Sequence, residues 1–275
     1  MILVDLHTHS TCSDGTLKPE TLVRAAKARK VAVLGLTDHD TTEGVPEFLA
    51  ACRHTGVRGL AGIELSAEAP YTLHILGYNI TPGNGPLERR LETLREHRKD
   101  RNAAICRRLR ELGLDVTLEE VGAEAGGEVI ARPHIARVLI RKGYAQDMAG
   151  AFRAYLADGA AAYVPRVRLP VKECISLIRQ SGGVSVLAHP GQMGLGEPTL
   201  KAVLEELKEM GLWGLECLSS HHRYEEIYQY LKLAASLGLY TTAGTDFHGW
   251  NRPGVQLGIP VGEDFLPWAR LQVPL

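Results

Sequence analysis

Short apolar segments alternate with segments of helical periodicity along most of this chain. Several apolar segments are almost continuously hydrophobic, which is typical of parallel strands buried on both faces. We predict seven strands, at residues 2–6, 31–36, 59–65, 71–78, 184–188, 212–218 and 239–243. Helices are predicted at residues 19–29, 44–54, 171–180, 200–210 and 224–237. Because this alternation builds a parallel α/β sheet and the chain has no GxGxxG motif, we favour an irregular barrel over a doubly wound sheet.

Residues 81–165 interrupt the alternation. TPGNGP is a loop sequence, and the residues after it show helical spacing without a convincing strand. We therefore predict a barrel domain formed by residues 1–80 and 166–275, with a small helical insertion, or cap domain, at residues 81–165.

Composition excludes several classes of protein. The chain has 275 residues and a formal net charge of −1, so its overall charge attracts neither nucleic acid nor an anionic membrane. No run of about 18 apolar residues is present, and the start MILVDLHTHS lacks the basic segment of a signal peptide. The five cysteines form no CxxC pair. We expect a cytoplasmic protein without membrane partners, disulfides or a thiolate metal site.

Histidines and carboxylates recur at the predicted strand ends or just after them, and one further histidine, His74, lies within the predicted fourth strand. They include His7, His9, Asp14, His39, Glu64, His74, His189, Asp246 and His248. In a parallel barrel the carboxyl ends of the strands share one face, where functional sites are built. Imidazole and carboxylate ligands without thiolate suit Zn, Mn or Fe. The sequence therefore predicts a metal site at this face.

Each of these residues also has an ordinary structural interpretation. An HxH pair is weak evidence alone, Asp14 precedes a glycine as in many turns, and His74 could be a core histidine. Asp38 and Asp40 flank His39 and could orient it or cap the next helix. The repetition at equivalent strand ends favours metal binding, because a buried cluster of polar groups is costly without a cation.

Seven motifs together resemble the polymerase and histidinol phosphatase (PHP) family of metal-dependent phosphoesterases. They are HTHSTCSDG, LTDHDT, GIELSAE, HILGY, ARPHIA, LAHPG and GTDFHG. They occur in the family's order from His7 to His248. The resemblance implies a distorted seven-stranded β/α barrel. ARPHIA, within the helical insertion, resembles the branch that acts on nucleotides.

The resemblance also implies three divalent ions, Mn, Zn or Fe, and assigns their ligands. These would be His7, His9, Glu64 and Asp246 for the first ion, Glu64, His74 and His134 for the second, and Asp14, His39 and His248 for the third. Glu64 would thus bridge two ions. Arg132 and His189 resemble the family's phosphate-binding residues, and His189 could also protonate the leaving group.

The expected activity is hydrolysis of a phosphomonoester by metal-activated hydroxide. The favoured substrate is a small nucleotide, a nucleoside 3′,5′-bisphosphate that loses its 3′-phosphate. A 5′–3′ exonuclease acting on short RNA and a histidinol-phosphate-type phosphatase are alternatives. A non-catalytic metal-binding PHP module and an amidohydrolase are further alternatives, although an amidohydrolase would usually carry a metal-bridging lysine where strand four has His74.

Two features remain open. The segment from Arg89 to Arg110 contains nine basic residues and only three acidic ones. This excess of positive charge fits either a solvated helix or a rim that attracts nucleotides. No interleaved aromatic residues accompany them, so binding of long nucleic acid is not indicated. His221 and His222 follow strand six and have no assigned role, and the sequence does not indicate the oligomeric state.

Overall fold

The computed structural model describes residues 1–83, 85–125 and 130–272, and eight strands form one sheet within them. The strands are β1 (Ile2–Asp5), β2 (Val31–Leu36), β3 (Arg58–Ser66), β4 (His74–Tyr78), β5 (Val184–Leu187), β6 (Gly214–Ser219), β7 (Tyr240–Gly244) and β8 (Ile259–Val261). They are hydrogen-bonded in the order β7-β6-β5-β4-β3-β2-β1-β8. The first seven strands match the predicted ones. The sequence analysis did not predict β8, because three residues are too few to show a period.

Strand direction differs from the parallel sheet that the sequence predicted. The pairs β1–β2, β2–β3, β5–β6 and β6–β7 are parallel, but β4 is antiparallel to both β3 and β5. The short β8 is antiparallel to β1. The reversal places the first residue of β4, His74, opposite Ser66, the last residue of β3.

The two sides of the sheet approach each other where β1 and β7 end. The Leu6 amide donates to the Ala243 carbonyl at 3.0 Å, and the His9 amide donates to the Phe247 carbonyl at 2.9 Å. Thr8 and Phe247 also form an isolated parallel bridge. The sheet is therefore a nearly closed barrel, which confirms the predicted distorted β/α barrel class.

Nine α-helices occur in the described part of the chain. They are α1 (Pro19–Ala28), α2 (Val45–Thr55), α3 (Pro86–Glu111), α4 (Leu118–Ala125), α5 (Arg132–Arg141), α6 (Met148–Ala151), α7 (Val171–Gln180), α8 (Glu197–Glu209) and α9 (Tyr224–Leu237). Proline begins α1 and α3, where its missing amide hydrogen costs no helical bond. Left-handed Gly56 and Gly238 end α2 and α9. No described helix is both long and apolar enough to cross a membrane.

Apolar side chains form layers on both faces of the sheet. One cluster joins residues of the strands, such as Val33 and Leu76, to Leu266 and Leu271 of the C-terminal segment. Two further clusters fill the space between strands and helices, one of them under α1 and α2. The barrel residues thus have both faces buried, as the continuous hydrophobic runs predicted.

Helices α3–α6 of the predicted insertion enclose a separate apolar cluster that includes Ile105, Val121, Leu139 and Leu156. The first half of α3 packs instead on the barrel side, through Leu87, Leu91 and Leu94. One long helix therefore contributes to two cores and holds the inserted helices against the barrel.

Candidate metal centre

The predicted histidines and carboxylates lie at one end of the sheet. Six of them follow β1, β2, β5 and β7 within four residues of the strand end: His7, His9, His39, His189, Asp246 and His248. Glu64 lies near the end of β3, and His74 begins β4. Because β4 is antiparallel to β3, its first residue reaches the same end of the barrel as the carboxyl ends of its neighbours.

Glu64 is the centre of the arrangement. One carboxylate oxygen, Oε2, lies 3.4 Å from His7 Nε2, 3.2 Å from His9 Nε2 and 2.9 Å from His39 Nδ1. The other, Oε1, lies 2.8 Å from His74 Nδ1 and 3.0 Å from His189 Nε2. The Glu64 side chain is completely buried. Five imidazoles from four separate segments therefore converge on one carboxylate.

Two aspartates extend the cluster on the side of His9. Asp246 Oδ1 lies 3.3 Å from His7 Nε2, 3.2 Å from His9 Nε2 and 3.4 Å from His248 Nδ1. Asp14 Oδ1 lies 3.1 Å from His248 Nε2. The rings of His7 and His9, two residues apart in the chain, thus point to the same carboxylates.

Among the described residues, three groups of side chains have ligand atoms close enough to share an ion. They are His7, His9, Glu64 and Asp246; His39, Glu64 and His74; and His9, Asp14, His39 and His248. Glu64 belongs to two of these groups, as expected for a bridging carboxylate. Eight of the nine predicted ligands are therefore brought together, and His134 is outside these groups.

The donor atoms fit divalent cations. Several buried atoms form no hydrogen bond with any described residue, although most of them lie close to another atom of the cluster: Nε2 of His7, His9, His134 and His248, Nδ1 of His39 and His189, and Oε2 of Glu64. Two ligand atoms that each lie about 2.1 Å from a tetrahedral ion are about 3.4 Å apart, which is close to the observed N–O separations. Buried polar atoms are normally satisfied, so this set indicates cation binding.

The carboxylates and imidazoles of the cluster strongly shift each other's pKa values. Burial disfavours the charged ring of His9, but the carboxylates of Asp246 and Glu64 outweigh it and raise the His9 pKa to about 9. Burial likewise disfavours ionised Glu64, but His39 and His74 hold the pKa of Glu64 well below its usual range. Without metal, protons therefore supply part of the positive charge that the carboxylates require.

His134 and Arg132 lie at the start of α5. His134 Nδ1 accepts a hydrogen bond of 2.9 Å from the Ala131 amide, which leaves Nε2 as the free ring nitrogen. Burial, reinforced by the charge of Arg137, lowers the His134 pKa to about 4, so the ring is neutral as a metal ligand must be. Arg132 donates to the Leu156 carbonyl at 3.0 Å, and its guanidinium lies 5.7 Å from the centre of the Phe152 ring.

A cavity of about 260 Å³ opens beside the cluster. Asp14, His39 and His74 form part of its wall. The same cavity is lined by five arginines: Arg98, Arg101, Arg132, Arg166 and Arg168. Of these five arginines, only Arg132 was predicted individually. The basic excess of α3 was visible in the sequence, but the sequence alone does not show which side of α3 faces the cavity.

Asp38 has a different role from the two that the sequence suggested. Its Oδ1 accepts hydrogen bonds from the Ser10 amide at 2.7 Å and the Ser13 hydroxyl at 2.5 Å. Its Oδ2 accepts one from the Ser10 hydroxyl at 2.6 Å. Asp38 therefore shapes the loop that carries Asp14, and among the described residues its side chain forms no hydrogen bond with His39 or with a helix end.

Glu216 in β6 is a buried site residue that the sequence analysis missed. Its Oε1 lies 3.0 Å from His7 Nδ1, and its Oε2 accepts a 2.8 Å hydrogen bond from the His189 amide. The available signal was a lone acid inside the nearly apolar strand GLECLS, because a buried carboxylate requires partners.

His221 and His222 have different surroundings in the structure. His221 Nε2 lies 3.2 Å from Asp246 Oδ2, so this ring reaches the outer side of the cluster. Arg252 contacts the same Asp246 oxygen. The His222 ring packs 4.8 Å from the Tyr230 ring, with its Nδ1 3.0 Å from the Cys217 carbonyl. Of the two histidines, only His221 contacts a residue of the cluster within the described structure.

Local backbone strain is concentrated here. Asp40, His189 and Asp246 have φ values of +51°, +27° and +56°, which non-glycine residues rarely adopt. Each costs on the order of 1 kcal/mol or more and is retained where surrounding contacts over-determine it, as at functional sites.

This barrel and this set of donors define a metal-dependent enzyme whose site lies at the carboxyl ends of the strands. The PHP domain model matches residues 5–115. The chain is 33% identical over 260 residues to the 3′,5′-nucleoside bisphosphate phosphatase of Chromobacterium violaceum, an alignment that covers 94% of this chain and 91% of the relative. The chain belongs to the PHP domain family.

A second relative and a solved structure are also similar to this chain over almost its whole length. The 5′-3′ exoribonuclease Rnm of Salmonella typhimurium is 34% identical over 283 residues, covering 99% of this chain and 96% of the relative. A Chromobacterium violaceum structure, described as an amidohydrolase with bound sulfate and no metal, has a TM-score of 0.88 and 32% identity over 98% of this chain and 95% of its own. The bisphosphate phosphatase and the exoribonuclease confirm the expected class, an enzyme that hydrolyses phosphate esters.

Proposed function

We propose that the protein is a phosphatase that removes the 3′-phosphate from a nucleoside 3′,5′-bisphosphate. The observation that carries this proposal is the convergence of five imidazoles on Glu64 beside a cavity lined by five arginines. The imidazoles and Glu64 suit divalent cations, and the arginines suit phosphate oxygens. The C. violaceum relative named for this activity supports the choice of substrate.

The proposed cofactor is three divalent ions, with Mn, Zn or Fe as candidates. Bound there, such ions lower the pKa of water and neutralise charge on the phosphoryl oxygens. The ligand assignment is the one that the family resemblance implies, with His134 included. Support for His134 comes from its neutral ring and its buried Nε2, which has no hydrogen-bond partner among the described residues.

Arg132 and His189 are the proposed phosphate-binding residues. Arg132 lines the cavity, and its planar guanidinium can donate two parallel hydrogen bonds to phosphate oxygens. His189 lies 3.0 Å from Glu64, and its proposed role is to bind the phosphate or to protonate the leaving oxygen. In the reaction, a water oxygen bonds to phosphorus and the bond from phosphorus to the 3′ oxygen breaks. That oxygen gains a proton, so the products are a nucleoside 5′-phosphate and orthophosphate.

A 5′–3′ exonuclease acting on short RNA is the second candidate. The Salmonella relative, aligned over 99% of this chain, favours it. The chemistry at phosphorus is the same, except that the bond broken belongs to a phosphodiester. An amidohydrolase activity is disfavoured, because no lysine among the described residues lines the cavity.

Further properties complete the proposal. We place the protein in the cytoplasm, which its five free cysteines support. We treat residues 81–165 as a cap domain, since helices α3–α6 share an apolar cluster of their own. The expected partners are a small nucleotide or a short oligonucleotide.

The test is phosphate release in the presence of Mn²⁺, Zn²⁺ or Fe²⁺. Adenosine 3′,5′-bisphosphate, adenosine 5′-phosphate and histidinol phosphate are compared at equal concentration. We expect the bisphosphate to be hydrolysed with the highest kcat/KM. Equal rates on all three compounds would exclude the substrate assignment, and degradation of a short 5′-phosphorylated RNA at a higher kcat/KM would favour the second candidate.

A further inference from the structure

Four of the cavity arginines come from two segments outside the predicted site. Arg98 and Arg101 belong to α3, and Arg166 and Arg168 belong to the segment that returns from the insertion to the barrel. We call these four residues the arginine wall. They share one cavity with Asp14, His39 and His74 of the metal centre, so a single small ligand can contact both.

Asp40 is the carboxylate that organises the wall. Its Oδ2 lies 2.6 Å from Arg98 Nη2 and also contacts Arg166 Nη2. Asp40 is buried, and its Oδ1 accepts a 3.2 Å hydrogen bond from the Ser66 amide. The contact fixes both guanidiniums beside the loop that carries His39. One carboxylate neutralises only one of two arginines, so the pair keeps a net positive charge.

Arg101 has no carboxylate partner in the described structure. Its Nε donates to the Val164 carbonyl at 3.0 Å, while its Nη2 is buried without a hydrogen-bond partner among the described residues. Burial, together with repulsion from Arg132 and Arg166, lowers the Arg101 pKa to about 9. Arg168 likewise forms no ion pair with a described residue. The wall is therefore cationic and partly unsatisfied.

A cationic wall of this kind is stabilised by an anion. Burying an unpaired charge is unfavourable unless a counter-charge and hydrogen bonds offset the lost hydration. Guanidinium groups match the geometry of phosphate oxygens, and charge-assisted bonds of this type are the strong ones. Arg132 and the metal centre are the groups proposed to bind the phosphate that reacts, which leaves the four arginines of the wall for a second anionic group.

We propose that the arginine wall binds the 5′-phosphate of a nucleotide whose 3′ oxygen–phosphorus bond lies at the metal centre. This inference rests on the proposed function and adds how the enzyme distinguishes its substrate from a simple phosphomonoester. The same 5′-phosphate occurs in two sources, a nucleoside 3′,5′-bisphosphate and the 5′ end of a phosphorylated short RNA. A single wall therefore serves both candidate activities.

The first test measures the preference for a 5′-phosphate. Arg101→Gln and Arg168→Gln are compared with the wild type and with Arg107→Gln, a control that removes the same charge from an exposed position of the same helix. Substrates are adenosine 3′,5′-bisphosphate and adenosine 3′-phosphate, and a dinucleotide with and without its 5′-phosphate. In the wall variants we expect kcat/KM for the 5′-phosphorylated member of each pair to fall about 10- to 100-fold more than for its partner. The control keeps the wild-type ratio.

Equal losses on both members of a pair would overturn the proposal, because the arginines would then act on the reacting phosphate or on folding. The two pairs distinguish the sources: a selective loss confined to the mononucleotides assigns the wall to the bisphosphate, and one confined to the dinucleotides assigns it to RNA ends.

A binding measurement separates this inference from the proposed function. Calorimetry compares adenosine 5′-phosphate with adenosine on the wild type and the three variants. We expect the wild type and Arg107→Gln to bind adenosine 5′-phosphate more tightly than adenosine, and the wall variants to lose that difference. If these affinities are observed while no substrate is hydrolysed, binding of the 5′-phosphate by the arginine wall is supported and the proposed activity is wrong. If the wild type binds both compounds equally, the proposed binding of the 5′-phosphate by the arginine wall is wrong, whatever the activity of the enzyme.

Discussion

Oε1 of Glu216 lies 3.0 Å from Nδ1 of His7, and both side chains are completely buried. The contact leaves Nε2 of His7 directed at Glu64 and Asp246. A carboxylate in this position fixes the tautomer of a histidine ligand, its ring orientation and its basicity. The second oxygen of Glu216 accepts a hydrogen bond from the His189 amide. Glu216 therefore positions two residues of the cluster, His7 and His189.

The Glu216→Gln variant tests this relationship. A glutamine supplies one oxygen acceptor instead of two, so either His7 or the His189 amide loses its partner. We expect metal affinity to fall about 10- to 100-fold while the fold is retained. Bound Mn²⁺ is measured by mass spectrometry after dialysis and by titration of the metal-free protein. Glu209→Gln, at an exposed position, is the control, and unchanged affinity in Glu216→Gln would contradict the positioning role.

Replacing Glu64 by glutamine removes the charge on which five imidazoles converge. The amide preserves the size of the side chain but is a poor bridging ligand, so we expect fewer bound ions and a fall in kcat of more than about 100-fold. Metal stoichiometry and phosphate release are measured on the same preparation. The matched control is Glu68→Gln, which changes an exposed acid four residues further along the chain. Full stoichiometry in Glu64→Gln would show that this carboxylate is not a ligand.

Metal binding is expected to release protons at neutral pH. The His9 pKa is raised to about 9 in the metal-free protein, so this ring is protonated at pH 7, and a ligand must be neutral. His74, whose pKa burial lowers to about 4, contributes no proton. Apparent affinity therefore rises with pH between about 7 and 9, by as much as about tenfold per unit for each proton released. Calorimetry at pH 7 in buffers of different ionisation enthalpy counts these protons, and identical heats would contradict the prediction.

Gly244 at the end of β7 is expected to tolerate no side chain. A Cβ at this position would lie 2.3 Å from His7 Cβ and 2.8 Å from Glu216 Oε1. We expect Gly244→Ala to lower the free energy of unfolding by about 1–3 kcal/mol and to weaken metal binding through displacement of His7. Gly196→Ala is the control, because a Cβ there meets no atom within 4 Å. Chemical denaturation measures both variants, and equal stability would refute the packing explanation.

The barrel strands were predictable because each is a local apolar run between turn signals. Helices α7 and α9 were predicted at their observed limits, and β1–β7 were found within a few residues. Strand direction was not predictable in the same way. The run that contains β4 has the same pattern whether it is parallel or antiparallel, since alternation of side chains does not depend on direction.

The candidate ligands were predictable for a related reason. His7, His9, His39 and Asp246 stand next to strand ends in the sequence, and strand ends of a barrel meet in space. Glu216 and the arginine wall offered no comparable signal. Whether Arg101 faces solvent or a cavity depends on how α3 rotates against the barrel, which packing decides.

The order of elements and the chemical kinds of ligand were thus determined by the amino-acid sequence itself, because hydrophobic periodicity and residue type are local properties. Tertiary structure alone decided that β4 is reversed, that Glu64 is shared by five imidazoles, and that Asp40 holds two arginines beside them. Those relationships join residues far apart in the chain, and they arise only when burial of the apolar faces brings the segments together.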